Sequence, residues 1–109
     1  MDEQRDRIYR RHILKAIEET EAFTAGMDFD GFENDIKTQR AVTRELEIIG
    51  EAAKRLSVEF KNKHESIPWR RIAGMRDFLI HDYMEVDLKE VWKAATEDIK
   101  ELKRALEES

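Results

Sequence analysis

The stretch RAVTRELEIIGEAAKRLSVEF, residues 40–60, decides the fold. Val42, Leu46, Ile49, Ala53, Leu56 and Phe60 recur at alternating steps of four and three, the spacing of a helix packed lengthwise on another. Asn34 or Asp35 can cap the start, so the pattern predicts a helix over residues 34–60. Such a stripe is buried only if other helices cover it, and the rest of the chain supplies them. Upstream, Tyr9, Ile13, Ala16, Ile17, Thr20 and Phe23 form one stripe over residues 2–23. AGMDFDGF (25–32) interrupts it, with Gly26 and Gly31 as stop signals and Asp28 and Asp30 as turn formers.

Downstream, KNKHESIP (61–68) closes the second helix, and Pro68 suits the first turn of a third over residues 68–81. The last helix begins near Asp87, a good cap with Glu90 three residues on. Leu88, Trp92, Ala95, Ile99, Leu102 and Leu106 run down its length. No strand-like alternation and no internal repeat appear. The expected fold is all-α: an up-and-down four-helix bundle with a shorter third helix, one domain over residues 1–109.

Composition agrees. Charged residues make up 41% of the 109 and hydrophobic ones 40%, with only four Gly and one Pro, a balance that favours helices over strands and turns. There is no Cys, which excludes disulfides and thiolate metal sites. No apolar run approaches the roughly 18–20 residues of a membrane span, and no apolar signal-peptide core follows the N-terminal charges. A soluble, cytoplasmic protein is expected. The net charge of −5 disfavours general nucleic-acid binding, but it is unevenly spread. Residues 61–83 hold five basic side chains against three acidic, whereas residues 84–109 hold five against eight. The acid is concentrated away from the region that carries the unusual chemistry.

That region is MRDFLIHDYM, residues 75–84, where Arg76, Asp77, His81, Asp82 and Tyr83 stand among large apolar residues. On a regular helix, which advances about 100° per residue, Ile72, Met75 and Leu79 share a face and Tyr83 falls close to it. Asp77 and His81, four apart, can touch. Arg76 and His81 are five apart, about 140° around the wheel. Either the helix loosens near residues 80–83, or the charges meet across an interface between two copies of the chain. Phe78, Ile80 and Met84 lie off the core stripe and could supply apolar surface for that interface. By spacing alone, a histidine near a helix end is ordinarily a surface or cap residue. Arg76 would then be a salt-bridge partner of Asp77 or Asp82, Tyr83 a core aromatic, and Arg70 and Arg71 part of a solvated face. His12 and His64 have no convincing constellation around them. No His or carboxylate pair has metal-ligand spacing, and no Gly-rich loop is present to hold a nucleotide.

The order Arg76, four residues, His81, one residue, Tyr83 resembles the R-x4-H-x-Y motif of HepT-like proteins, toxin members of the HEPN superfamily of helical RNases. RAVTRELEIIGEAAKRL (40–56) looks like the family's second helix, IPWRRIAGMRDFLIHDY (67–83) its signature block, and VDLKEVW (86–92) the start of its last helix. The resemblance implies a metal-independent endoribonuclease, active as a homodimer and free of cofactors, with Arg76 and His81 of both subunits lining one cleft. It also implies a partner, an MntA-type nucleotidyltransferase antitoxin that transfers AMP onto the motif's tyrosine, here Tyr83. HEPN proteins often carry Asn right after the arginine. Here it is Asp77, a carboxylate that could orient His81 or pair with Arg76. The competing expectation is a non-catalytic helical module that docks a nucleotidyltransferase.

Overall fold

The computed structural model describes the backbone of residues 2–81 and 87–108, and the side chains of residues 2–75 and 87–108. All regular structure in it is helical, as expected. α1 (Asp2–Thr24) starts with Asp2 and Glu3 in its first turn, where carboxylates meet the positive end of the helix dipole. It ends before Gly26, whose φ of 73° is the left-handed conformation that glycine adopts without strain. The interrupting segment folds into a short helix of its own, α2 (Phe29–Glu33). The Asp28 side chain caps it by accepting from the Gly31 N–H at 2.8 Å. Phe32, fully buried, is the reason for this element: its ring lies 5.0 Å from that of Trp92.

α3 (Ile36–Lys54) is capped by Asp35. One of its carboxylate oxygens accepts from the Thr38 N–H at 3.0 Å and the other from the Thr38 hydroxyl at 2.8 Å. Those two bonds to the charged form, backbone first, hold the Asp35 carboxyl below its ordinary range. α3 carries the stripe read from the sequence. Val42, Leu46, Ile49 and Ala53 are all fully buried, packed chiefly against α1 on one side and α5 on the other.

The helix expected over 34–60 breaks at Leu56. α4 (Val58–Lys63) is a separate short helix. The Ser57 hydroxyl accepts from the Phe60 N–H at 3.1 Å, capping α4. The same hydroxyl donates to one oxygen of Asp6 at 2.6 Å, and the Ser57 N–H donates to the other at 2.7 Å. Asp6 is buried on α1, and these two bonds fix Ser57 in an extended conformation that a continuous helix could not adopt.

After α5 (Trp69–His81) the chain is described again from Asp87, whose side chain accepts from the N–H groups of Lys89 and Glu90 as a cap. The last helix is interrupted. α6 (Leu88–Lys93) passes into a π-turn, Ala94–Asp98, and then into α7 (Ile99–Glu107). The π-turn takes up an extra residue, so the buried row does not follow the expected rhythm throughout. Ala95, Ile99, Leu102 and Leu106 are buried as expected, but Val91 and Ala94 also take core positions, while Leu88 and Trp92 are only partly buried. None of the described helices is long and apolar enough to cross a membrane.

One buried polar group stands apart. Glu45, only 5% exposed, sits on α3 beside Glu19 of α1. Burial first, and the hydrogen bond and charge of Glu19 next, push its carboxyl from an ordinary 4.5 up to about 7, against the pull of Arg44 and Lys15. A carboxyl raised in the folded state lends its full stability below its unfolded value. That stability fades as pH climbs from 4.5 and is gone once pH passes about 7. Glu45→Gln should therefore be about 2–3 kcal/mol more stable than the wild type at pH 8, with the gap closing toward pH 5. Urea denaturation at the two pH values measures it.

Candidate active site

The helix that carries the R-x4-H sequence is α5, and its position is set from both ends. At its start, the Trp69 indole N–H is shared between the backbone carbonyls of Lys61 and His64, at 3.1 and 3.0 Å. Both carbonyls also accept from the backbone, Lys61 from the His64 N–H and His64 from the Ile67 N–H, so the indole adds a second donor to each and ties the start of α5 to the end of α4. Phe60 packs between the two rings, 4.9 Å from His64 and 6.3 Å from Trp69 between centroids. Along its inner face, Ile72 and Met75 are 1% and 2% exposed and join the core against α3. On its flank, the Arg71 guanidinium lies 3.0 Å from the Asp98 carboxylate of the π-turn. Aromatic packing, apolar burial and an ion pair therefore orient this helix.

α5 remains helical through His81. Arg76, Asp77 and His81 all stand on it, their side chains outside the described residues; Tyr83 lies wholly outside them. A helix unbroken to residue 81 keeps the Arg76 and His81 positions about 140° apart. Gly74 and His81, seven residues apart, fall within about 20° of each other, two turns along one stripe.

Beside that stripe is a groove of about 590 Å³ between α5 and the last helix. Gly74 and Met75 form part of one wall, while Glu90, Lys93 and Asp98 line the other, with Arg71 at the edge. The ion pair between Arg71 and Asp98 joins residues remote in sequence. One Asp98 oxygen is buried without a hydrogen bond, so the guanidinium approaches it by charge and not by alignment. Sequence reasoning left Arg71 on a solvated face and passed over Lys93 and Asp98. No local pattern in the sequence announces the turn that presents Asp98.

The remaining histidines are packed against rings: His12 lies 5.7 Å edge-on from Tyr9 and His64 against Phe60. Tyr9 in turn lies under the Arg55 guanidinium at 6.0 Å. Among the described residues no group of three or more His, Asp or Glu side chains could hold a metal ion.

Known proteins resemble this chain along most of its length. The family described as "Ribonuclease HepT-like" matches residues 13–109. The chain is 50% identical over 99 residues to "Probable ribonuclease HepT" of Thermococcus cleftensis, covering 91% of this chain and 90% of that protein. It is 43% identical over 102 residues to "Putative RNase TTE0752" of Caldanaerobacter subterraneus, covering 94% and 91%. A protein of Methanocaldococcus jannaschii, "Putative RNase MJ0127", is 39% identical over 106 residues, covering 94% and 88%. No solved structure matches the chain.

The anchoring of α5 has a direct test. Trp69→Phe keeps a ring against Phe60 but removes the N–H that two carbonyls share. A loss of about 1–2 kcal/mol in urea denaturation is expected, against a near-zero effect for Arg70→Ala on the exposed side of the same turn.

Proposed function

The chain belongs to the ribonuclease HepT-like family, and on that premise we propose that it is a metal-independent endoribonuclease toxin whose active cleft is composed of two subunits. The observation that carries the reading is the helicity of α5 through His81. Of the two ways in which Arg76 and His81 could cooperate, an early loosening of the helix is the less compatible with it. The reading takes the other way, convergence across a twofold axis, with Arg76 and His81 of each protomer facing those of the other.

Residue chemistry suits RNA cleavage by internal attack. The 2′-oxygen bonds to phosphorus as the bond from phosphorus to the 5′-oxygen breaks, leaving a 2′,3′-cyclic phosphate and a 5′-hydroxyl. One His81 takes the 2′-hydroxyl proton, and His81 of the partner subunit protonates the departing 5′-oxygen. Imidazole, which titrates near neutrality, can fill either role. The Arg76 guanidinium donates to phosphate oxygens as negative charge gathers there. Asp77, four residues before His81, is placed to orient the imidazole and favour its protonated form.

Tyr83, two residues beyond His81, is the proposed point of control. A nucleotidyltransferase antitoxin would transfer AMP from ATP to its hydroxyl with release of pyrophosphate. That would place a phosphodiester's negative charge next to the cleft, where it competes with RNA for Arg76. Neutralisation then needs no separate inhibitor held in the site.

Purified wild type should cleave oligoribonucleotides in the presence of EDTA, whereas Arg76→Ala and His81→Ala should each lose at least a hundredfold in rate. Cleavage that survives both substitutions would refute the assignment. A stable complex with a nucleotidyltransferase but no cleavage, even with unmodified Tyr83, would favour the docking-module reading. Coexpression with such an enzyme should raise the intact mass by one or more AMP units. Tyr83→Phe should abolish that shift while keeping cleavage.

A further inference from the structure

We infer that the groove between α5 and the last helix is a phosphodiester subsite, in which Arg71 and Lys93 hold the RNA strand a short distance from the bond that is cut. The inference rests on the ribonuclease reading above and adds to it a path for the substrate outside the motif.

The groove is at the right distance. Its Gly74 wall shares a helical stripe with His81 and lies about 10 Å from it along the axis, two turns at 1.5 Å per residue. A nucleic-acid strand advances about 3.4 Å per stacked nucleotide. A strand whose scissile bond sits at His81 therefore brings a phosphate about three nucleotides away to the groove. Gly74 keeps that wall low: a Cβ built there meets nothing within 4 Å, so the space above it is open.

The charges suit a phosphate as well. Arg71 is about half exposed, and Asp98 engages only one edge of its guanidinium. The other N–H donors of the fork are left for an anion. Asp98 is far less exposed than Arg71, and the π-turn places it there, so it acts as a positioning residue. A π-turn inside an α-helix is a feature frequently found at functional sites. Lys93, exposed on the last residue of α6, faces the groove from the other wall. Glu90, three residues before Lys93 on α6, also lines the groove and can pair with it. Two carboxylates and two cations thus bring the groove close to neutral, which lets Arg71 and Lys93 stand near each other. An incoming phosphate meets Lys93 and the free edge of Arg71, while the less exposed Asp98 keeps its hold on Arg71.

The test uses the full chain in a His81→Ala background, so that RNA is bound but not cut. A fluorescein-labelled 12-nucleotide RNA reports binding by anisotropy over a range of salt concentrations. Lys93→Ala and Arg71→Gln should each weaken binding roughly five- to tenfold at 0.1 M salt. Each should also make the slope of log K against log salt shallower by about 0.7. Arg71→Lys should recover part of the affinity, because the charge returns without the fork. Lys37→Ala/Lys100→Ala removes two exposed cations outside the groove and serves as the charge control. Lys93 is exposed, so its variant keeps the proposal testable where Arg71→Gln fails to fold. Unchanged affinity and slope in Lys93→Ala, or an equal loss in the control, would overturn the subsite. Absence of RNA binding by the His81→Ala parent would overturn it too. Cleavage by the wild type, assayed alongside, keeps the two readings apart: if it persists while the groove variants bind normally, only the subsite falls.

Discussion

Everything in this molecule is arranged around the need to cover α3 on two sides. Its central apolar row is fully buried, and Glu45 and Ala52 beside that row are buried as well. No single neighbour can enclose so wide a face. α1 and α5 share the task, and α5 is the helix that carries the R-x4-H sequence. The rotation of α5 is thus tied to the burial of Ile72 and Met75 against α3. Packing that secures the fold also holds the helix of the R-x4-H sequence at a fixed rotation about its own axis.

Much of this was legible in the sequence because it is local. Helix periods, the cap at Asp35, the cap at Asp87 and the stop at Gly26 each depend on residues within a turn or two of one another. The break at Leu56 was not legible. The 4-3 rhythm runs straight through to Phe60, and the interruption comes from Asp6, which meets Ser57 only once α1 has docked. The π-turn escaped for a similar reason. Its extra residue lets Val91, instead of Trp92, face the core, and Trp92 then packs on Phe29 and Phe32 of α2.

The candidate site divides along the same line. The motif residues form a pattern within eight consecutive positions, so their order along the chain is enough to name them. Arg71 and Asp98 could not be named that way, because an ion pair between residues 27 positions apart leaves no local trace. Glu19 and Glu45 are another such pair, invisible as two ordinary surface acids until the helices that bear them come together. The groove beside α5 follows from tertiary contacts, and its chemistry is set by which residues the π-turn brings round.

That turn also divides the last helix into two independently seated halves. The first half answers to the aromatic cluster of α2. The second is tied to α1, where Arg10 donates to the Leu106 carbonyl at 2.9 Å and Lys103 meets Glu21 at 2.8 Å. A straight helix would force both seats to obey one rotational phase. With a slack residue between them, each half can be tuned by substitution without dragging the other out of place, so the wall that faces α5 can diversify while the bundle's closing seam stays constant.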